Sequence, residues 1–332
     1  MARVFMDGAE GNDLTFWGAQ SGVSVSAAQK RSGDYSYYLN GNGCFATRNL
    51  VTGLSEFCLR FGLRIGGLTT ERLLLSLRNS TTTAADLRYE PTTAKLKAYV
   101  NGALVGSASV SLAAAAWGRV EVYYKMADSG GVYDVKLDGV TVISFSGDTK
   151  PSTYTTIDNF HFTANTSFDF WIDDLALNDM TGDTHNSWCG DGHIELRRDA
   201  GNGDRSDWAG SDGNSVDNYL LVDDVTPDGD ATYIFDSTPG NQDMSTVESW
   251  DGTYKQVQFA WPEMRVRGET GNEQLTAGVK TNGAVHMDSA QALTTQYSRV
   301  VGYLMEVNPQ SLLPWSEAEI NAAQSVVETA AV

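Results

Sequence analysis

Apolar and polar residues alternate through the middle of the chain with a repeat of two residues. The pattern runs through residues 117–124, 132–137, 140–145, 157–162 and 168–177. A repeat of two is typical of β-strands that bury one face and expose the other to water. These segments therefore predict a series of half-buried strands, and they indicate the fold class before any other property is considered.

Tight turns are expected between several of these strands. Asp138-Gly139 separates two alternating segments, and Asn101-Gly102 lies between two earlier ones. Asp-Gly and Asn-Gly pairs favour type I′ hairpin turns, because both central residues of such a turn need positive φ. Many short strands joined by tight turns, in a chain with 33 glycines and 7 prolines, predict a β-sandwich or jelly-roll.

Two earlier segments indicate how deeply the strands are buried. Residues 56–65 alternate so that the odd-numbered positions, from Phe57 to Ile65, form the core face. Residues 72–78 are apolar on both faces, which is expected of a strand in the centre of a sheet.

The character of the chain changes near residues 179–183. We therefore expect a jelly-roll domain over residues 1–178 and a second, acidic domain over residues 179–332. A strand is predicted over residues 193–197 of the second domain. A polar tract from Asp199 to Asp217 follows it, and this tract is too long for an ordinary turn.

The end of the chain carries a helix signal. Ser316 and Glu319 form an S-x-x-E capping box, and Ile320, Ala323 and Val327 would share one helix face. The predicted protein is therefore all-β, with an N-terminal jelly-roll β-sandwich, a second β-sandwich-like domain and a short C-terminal helix at about residues 315–329.

Negative charge is concentrated in the second domain. The net charge is −19; residues 1–180 carry 18 acidic and 15 basic side chains, whereas residues 181–332 carry 24 and 8. An electrostatic field of this sign repels phosphate backbones, so we do not expect a nucleic-acid partner. Cations, basic protein surfaces and neutral glycans remain as partners, although acidity can also serve only to keep an exposed protein soluble.

Cysteine usage and the lack of long apolar runs bear on localisation. Cys44, Cys58 and Cys189 do not have the spacing of a metal site, so we expect buried thiols in a chain that folds in a reducing compartment. Cys44 and Cys58 could instead pair across neighbouring strands. No apolar run approaches the roughly 18 residues that span a bilayer, and the first residues lack the apolar core of a secretory signal. We therefore expect no membrane insertion. If the protein acts outside a cell, we expect it to leave by lysis, by a dedicated export machine or by assembly into a particle.

The alternating segments of the first domain also carry a family resemblance. A Trp-led strand begins at Trp117, a V-x-L-D-G hairpin spans residues 135–139, and a strand with I-D-D-L spans residues 172–175. This order resembles the concanavalin A-like, laminin-G-like jelly-roll superfamily over about residues 1–178. The resemblance implies a jelly-roll fold that often binds sugars or protein partners.

The second half resembles structural proteins of tailed-bacteriophage virions, such as tail and decoration proteins. The similarity lies in residues 187–196 and in five further segments. Those segments are residues 204–208, 218–224, 227–230, 236–240 and 308–320. The resemblance implies a virion component that assembles in the host cytoplasm.

Glycoside hydrolysis is the first enzymatic activity to consider on such a fold. Retaining glycosidases need two carboxyl groups about 5–5.5 Å apart. The nearest candidates, Asp169 and Asp173, are four residues apart on one strand face, which places them roughly 13 Å apart. This spacing disfavours the retaining mechanism, and Asp173-Asp174 is interpreted instead as a hydrogen-bonding feature at the end of a strand.

A calcium site is one interpretation of the polar tract. Asn202, Asp204 and Ser206 have the first three oxygen-ligand spacings of a calcium loop, and Asp199, Asp212 and Asp217 could add ligands. The glycine and glutamate expected at positions six and twelve of such a loop are missing. The alternative is an acidic loop whose Asp and Asn side chains cap its own turns, with no cofactor.

Glycan binding would need an aromatic platform beside Asp or Asn side chains. The candidate aromatic residues are Trp17, Tyr35, Tyr37, Tyr38 and Trp208. Trp17 and Tyr37 are expected to pack in the core. Trp208 is expected to be exposed within its polar loop, where it would bind a ligand together with Asp207 and Asp212, or anchor a contact between subunits.

These observations favour a non-enzymatic structural protein of a phage-like virion, located in the decoration, neck, tail or fibre. Its expected partners are further copies of itself, other virion proteins and, for adhesion, a host-surface glycan. The alternative is a free carbohydrate-binding module or lectin, and a glycoside hydrolase is a third hypothesis.

Overall fold

The structure is a computed structural model that describes residues 3–67, 70–150, 153–164, 168–250 and 256–332. The chain divides into two compact units, Met1–Glu195 and Leu196–Val332, called unit 1 and unit 2 below. The boundary expected from the sequence, between residues 178 and 179, falls at the end of a strand, and residues 179–195 belong with unit 1. The protein is all-β, as the sequence predicts.

Unit 1 is built from antiparallel strands. In chain order they are β1 (Arg3–Asp7), β2 (Ala19–Ser21), β3 (Val23–Ser26), β4 (Ser36–Asn40), β5 (Cys44–Leu54), β6 (Glu56–Ile65), β7 (Arg72–Asn79), β8 (Thr82–Glu90), β9 (Lys95–Val100), β10 (Ala103–Ser107), β11 (Trp117–Lys125), β12 (Gly131–Leu137), β13 (Val140–Gly147), β14 (Ile157–Ala164) and β15 (Asp169–Asn178). Asn101 and Asp138 have φ of 49° and 50° in the hairpins β9–β10 and β12–β13, as their predicted type I′ turns require.

The strands form a jelly-roll sandwich of two sheets. The first sheet has the order β13-β12-β11-β6-β15-β4-β3, with β1 paired to β15. The second sheet has the order β10-β9-β8-β7-β14-β5-β2. The core lies between them, and the odd-numbered residues of β6, from Phe57 to Ile65, are fully buried as predicted. Strand β7 lies in the centre of the second sheet, which is also as predicted.

Strand β15 contains a bulge. Its pairing with β6 shifts between Asp173 and Ala176, and Asp174 has a φ of 51°. Before the bulge Ile172 faces the core, opposite Leu63, and after it Leu177 faces the core, opposite Leu59. The two aspartates therefore lie in the middle of a strand, and not at the strand end expected from the sequence.

A segment without regular secondary structure packs on the outward face of the first sheet. This covering segment, residues 187–194, includes the start of the strand that was predicted over residues 193–197. That prediction is wrong, because the segment's polar backbone atoms bond to side chains rather than to a strand. Cys189, in this segment, packs against Cys58 and Ala176.

The three cysteines are all buried and free. The buried-thiol interpretation is confirmed, and pairing of Cys44 with Cys58 is wrong. Cys44 lies on β5 in the second sheet, whereas Cys58 lies on β6 in the first sheet, so the two residues are in opposite layers of the sandwich.

Unit 2 is also antiparallel β-structure. In chain order its elements are β16 (Asp199–Ser206), β17 (Ala209–Gly210), a 3-10 turn (Asn218–Leu221), β18 (Ile234–Phe235), β19 (Gln242–Val247), β20 (Glu263–Val266), β21 (Gln274–Thr281), β22 (Ala284–Met287), β23 (Gln291–Ala292), β24 (Ser298–Val301), α1 (Glu317–Asn321) and β25 (Gln324–Ala330). The main sheet has the order β16-β19-β25-β21-β22, with β23 paired to β21. The pairs β17–β18 and β20–β24 form two small ribbons.

The C-terminal helix is shorter than predicted. Its capping box is confirmed, because the Ser316 side chain accepts from the Glu319 backbone and the Glu319 side chain accepts from the Ser316 backbone. The helix ends at Asn321, however, and residues 324–330 form strand β25 between β19 and β21. The β-branched pair Val326-Val327 suits a central strand, and its burial in the sheet outweighs the helical spacing seen in the sequence. Among the described residues, no helix is long and apolar enough to cross a membrane.

Candidate functional site

A row of polar side chains crosses the outward face of the second sheet. Its members lie directly opposite one another on the five neighbouring strands β5, β14, β7, β8 and β9. This polar row consists, in that order, of Thr47, His161, Ser76, Asp86 and Tyr99. At a spacing of about 4.8 Å between strands, the row is roughly 19 Å long.

Strand alternation points the polar row away from the core. Leu75 and Leu77 flank Ser76 on β7, and Phe160 and Phe162 flank His161 on β14; all four are buried in the sandwich. Their partners on the neighbouring strands are apolar except for Arg48, which lies opposite Phe160 and packs its guanidinium over Phe16, so one face of the sheet is largely hydrophobic and the other carries the row.

Hydrogen bonds fix the side chains within the polar row. Thr47 Oγ1 lies 2.8 Å from His161 Nδ1. The Ser76 hydroxyl donates to Asp86 Oδ1 at 2.7 Å, and Arg88 donates to Asp86 Oδ2 at 3.0 Å. Neighbouring side chains thus hold one another in single orientations, which is the preorganisation that a binding surface needs.

An ion-pair cluster extends the polar row at the Tyr99 end. The Arg88 guanidinium lies 4.0 Å from the centre of the Tyr99 ring, and the Tyr99 hydroxyl donates to Glu71 Oε1 at 2.7 Å. Lys97 donates to Glu71 at 2.7 Å and to Glu90 at 3.2 Å. Partial burial opposes ionisation of Glu71, but the hydrogen bonds from Lys97 and Tyr99 outweigh it and lower the pKa of this carboxyl.

His161 is neutral at physiological pH. Burial, assisted by the nearby positive charge of Arg78, lowers the pKa of His161 to about 4. The imidazole also stacks on Phe45, with ring centres 5.4 Å apart and an angle of 23° between the rings. An aromatic side chain therefore stands at each end of the row, Phe45 at one and Tyr99 at the other.

The charges on this face nearly balance. Four cationic side chains accompany three carboxylates, and the histidine is neutral. The cations are Arg78, Arg88, Lys95 and Lys97, and the carboxylates are Glu71, Asp86 and Glu90. The face thus offers many fixed donors and acceptors without a strong field of either sign, which suits a neutral, hydroxyl-rich ligand better than a highly charged one.

Trp208, the aromatic residue expected to be exposed, is buried. Its side chain is 8% exposed and packs against Leu275, Leu293 and Val300 in the core of unit 2. The indole N–H donates to the Asn241 backbone at 3.2 Å. The prediction of exposure is wrong, because apolar residues distant in sequence surround a tryptophan whose sequence neighbours are polar.

The acidic residues assigned to the same site serve local structure. Asp207 forms an ion pair with Arg205 and accepts from the Gln242 backbone at 3.1 Å. Asp212 accepts from the backbone and side-chain nitrogens of Asn214, at 3.2 and 2.6 Å. Asp212 therefore caps its own turn, as the alternative interpretation of this loop requires.

The three predicted calcium ligands lie on β16 and have protein partners. Asn202 donates to Asp217 at 2.7 Å, Asp204 forms an ion pair with Lys280, and Ser206 donates to the Ser215 carbonyl at 2.8 Å. Together they line a shallow depression of about 330 Å³. Among the described residues, no group of three or more His, Cys, Asp or Glu side chains is arranged to hold a metal ion. Calcium binding stays a prediction of the sequence.

Asp199, a further candidate ligand, is also engaged. It accepts from the Ser325 hydroxyl at 2.6 Å. Burial raises the pKa of Asp199 to about 6, and the charges of Asp243 and Asp223 add to this shift.

The hydrolase candidates do not form a pair of accessible carboxyl groups. Asp173 is fully buried, and its Oδ2 accepts from the backbone nitrogens of Arg31 and Ser32 at 2.7 and 3.3 Å. Burial, with the neighbouring Asp174 charge, raises the pKa of Asp173 to about 8. Asp169 accepts from the Gly67 backbone at 3.2 Å. Asp173 fixes the backbone of residues 31 and 32, and its buried carboxyl group is not accessible to a substrate.

The remaining aromatic candidates are mostly structural. Trp17 and Tyr37 are buried and pack against each other, as predicted. Tyr38 lies on the outward face of the first sheet and stacks on Trp171, with ring centres 4.5 Å apart. Arg64 covers Trp171 as well, at 5.7 Å, so these rings present their faces to one another rather than to a ligand.

Sequence reasoning missed the polar row. Its signal was the alternation of charged residues at 86, 88 and 90 on β8, followed by 95 and 97 on β9. This pattern marks an outward face, but only the strand register brings Asp86 opposite both Ser76 and Tyr99.

Comparisons with known proteins find only distant structural likenesses. No family model matches the chain, and no curated protein matches it. Among solved structures, a cellulose-induced protein, Cip1, is 16% identical, with 57% of this chain and 100% of that chain covered and a TM-score of 0.44. The alginate lyase Aly36B is 14% identical over 53% of this chain and 92% of its own, with a TM-score of 0.38. A Bacillus subtilis protein with a galectin-like fold is 13% identical over 54% of this chain and 96% of its own, with a TM-score of 0.39. Likeness at this level does not transfer a function to the chain.

Proposed function

We propose that unit 1 is a carbohydrate-binding domain that uses the outward face of its second sheet. The observation that carries the proposal is the polar row, in which five polar side chains lie directly opposite one another on five adjacent strands. Its length of roughly 19 Å suits an extended oligomer rather than a single small molecule.

The chemistry of the row matches that of a neutral glycan. Sugar hydroxyls both donate and accept hydrogen bonds. Ser76 and Asp86 are buried at the base of this face and bonded to each other, so a ligand would meet the partly exposed side chains around them, such as Arg88, Lys97 and Tyr99. Apolar faces of sugar rings pack on aromatic side chains. Phe45 and Tyr99 stand at the two ends, where His161 covers one face of Phe45 and Arg88 covers one face of Tyr99. With four cations against three carboxylates, this face has much less electrostatic preference for phosphate, sulfate or uronate groups than a strongly basic surface would have.

Binding without cleavage is favoured by the state of the carboxyl groups. A general acid needs a carboxyl group that stays protonated near neutral pH, which means a raised pKa. Glu90 instead has a lowered pKa, because Thr92 and Lys97 donate hydrogen bonds to it. The pKa of Glu71 is lowered as well, against the effect of its partial burial, by the bonds from Lys97 and Tyr99. Both groups are ionised and held by cations.

The test is a glycan array followed by titration of the best ligand. We expect Arg88→Gln to weaken binding by about 10- to 100-fold, since a hydrogen bond to a charged group contributes about 1.5–3 kcal/mol. Tyr99→Phe removes one hydroxyl from the face and is expected to weaken binding by several-fold.

A matched control lies on the first sheet. The Tyr123 hydroxyl donates to Glu56 at 2.5 Å, much as the Tyr99 hydroxyl donates to Glu71. Tyr123→Phe therefore makes the same chemical change on the opposite layer and should leave affinity unchanged. Binding that survives Arg88→Gln in a folded protein, or that is lost equally in both phenylalanine variants, would place the ligand elsewhere.

Assembly into a virion remains a prediction from the sequence resemblance in the second half. Glycan adhesion by unit 1 is compatible with that role and with a free lectin. Mass spectrometry of purified particles, together with the oligomeric state in solution, distinguishes the two. A monomer at micromolar concentration that is missing from particles would favour the lectin.

A further inference from the structure

Two thiols meet beneath the covering segment of unit 1. Cys58 lies on β6 and faces outward, and Cys189 lies in the covering segment directly above it. Cys189 Sγ is 3.3 Å from the Cys58 carbonyl oxygen and 3.5 Å from that of Ala176. The two side chains also pack together in one buried cluster with Ala176. They are thus in direct contact although 131 residues separate them in sequence.

The covering segment is held by side chains of the first sheet. Glu121 accepts from the Gly190 backbone at 2.8 Å, and Arg119 pairs with Asp191 at 2.7 Å. Asn178 donates to the Ser187 carbonyl at 2.9 Å. None of these contacts is covalent, so local opening of the segment would expose both thiols without unfolding the sandwich.

We propose that Cys58 and Cys189 form a redox pair that a low-molecular-weight disulfide, such as oxidised glutathione, converts into an intramolecular disulfide. The bond would fasten the covering segment to the first sheet when the protein leaves a reducing compartment.

The reaction is ordinary thiol–disulfide exchange. The Cys189 thiolate attacks one sulfur of oxidised glutathione, which breaks its S–S bond, forms a mixed disulfide and releases one glutathione thiol. The Cys58 thiolate then attacks Cys189 Sγ and releases the second. Two protein thiols are oxidised, one glutathione disulfide is reduced to two thiols, and the two protons end on the released glutathione.

Exposure and charge assign the order of attack. Cys189 is 5% exposed, whereas Cys58 is fully buried, so an incoming disulfide reaches Cys189 first. Burial opposes ionisation of Cys189, but its interaction with the Cys58 side chain and the charges of Arg3 and Arg60 lower its pKa. Burial raises the pKa of Cys58, which therefore suits the second step, within the mixed disulfide.

Cys44 supplies an internal control. It is 5% exposed, as Cys189 is, but its Sγ donates to the Asn40 carbonyl at 2.6 Å. If exposure alone decided reactivity, Cys44 and Cys189 would form mixed disulfides equally. If contact between thiols decides it, only Cys189 continues to an intramolecular bond.

The experiment treats the native full chain with oxidised glutathione, blocks free thiols with a maleimide and maps the peptides by mass spectrometry. We expect a Cys58–Cys189 cross-link in wild type and in Cys44→Ala, and none in Cys58→Ser or Cys189→Ser. Closure of so long a loop should raise the Tm of unit 1 by roughly 5 °C or more, and dithiothreitol should reverse the change.

Two results would overturn the proposal. One is a stable glutathione adduct on Cys189 that does not proceed to the cross-link. The other is a cross-link that forms only in urea, which would show that the native fold keeps the thiols apart or inaccessible.

Discussion

Replacement of Arg31 by methionine tests whether a buried ion pair holds unit 1 together. Arg31 donates to Asp174 Oδ2 at 2.5 Å, and the Asp174 side chain is completely buried. Methionine keeps much of the apolar volume but removes the guanidinium. The Asp174 carboxylate would still accept from two neutral donors, the Ser32 hydroxyl at 2.6 Å and the Ile194 backbone nitrogen at 2.8 Å.

The expected loss follows from that environment. Removal of one partner from a buried pair typically costs about 3–5 kcal/mol, because the other charge is left without compensation. Since two neutral donors remain on Asp174, we expect the lower end, about 3 kcal/mol. The neighbouring Lys30 is the control. It pairs with Asp34 at 3.5 Å, with side chains 42% and 67% exposed, so Lys30→Met should cost less than about 1 kcal/mol.

Urea unfolding of the full chain, read by peptide-resolved hydrogen exchange, measures unit 1 separately from unit 2. The Arg31→Met deficit should persist in 0.5–1 M salt, roughly the range in which exposed pairs are screened. If both methionine variants lose similar and small amounts of stability, or if salt removes the Arg31 effect, Asp174 is hydrated in solution and the ion pair does not hold unit 1 together.

Three further changes have defined outcomes. Trp208→Ala should destabilise unit 2 by about 3–5 kcal/mol in urea, whereas alanine at Phe235, 53% exposed, should cost less than about 1 kcal/mol. Burial holds the pKa of folded His161 at about 4, below its unfolded value of 6.5, so the unfolded chain binds more protons between these pH values. The free energy of unfolding of wild type should therefore fall by about 1–2 kcal/mol from pH 6.5 to pH 4, after allowance for the partial exposure of the ring. His161→Gln should not show this loss. The carboxyl of Asp191 is mostly exposed, and partial burial opposes its ionisation, but bonds from Arg119 and Arg31 lower its pKa from 3.8 to about 2. Asp191→Asn should therefore remove a stabilisation of less than about 1 kcal/mol, which is present above pH 3.8 and lost towards pH 2. Acid titration followed by circular dichroism measures this difference. If the variant and wild type unfold alike, these bonds do not form in solution.

The sandwich of unit 1 could be predicted because its strands and turns are specified by residues that lie close together in sequence. Each strand carries its own alternation, and pairs such as Asn101-Gly102 specify where the chain turns back. The buried odd face of β6 and the central position of β7 followed from single segments, without knowledge of their neighbours.

The predictions for Trp208 and for the C-terminal helix were wrong because contacts between residues distant in sequence determine both structures. Trp208 lies in a polar tract, and its burial is due to Leu275 and Val300, which are far away in sequence. Ile320, Ala323 and Val327 have helical spacing, but Val327 pairs with Asp243 and Ala277 on either side of β25. A pattern within one segment does not contain these contacts.

The candidate site could not be predicted for a related reason. Ser76, Asp86 and Tyr99 are unremarkable polar residues in three separate strands. They become one surface only through the register of β7, β8 and β9, which depends on the pairing of whole strands.

The sandwich of unit 1 does not depend on the bulge in β15. Without Asp174, pairing with β6 would run on unbroken, and Leu175 would come to lie opposite Phe61 with its side chain still directed inward. The core would therefore survive a deletion of Asp174. The deletion would instead remove the hydrogen bonds to Arg31, Ser32 and Ile194. Asp174 is thus not needed to pair the strands of the sandwich. Its role is to attach the loop at residues 31 and 32 and the covering segment to the first sheet.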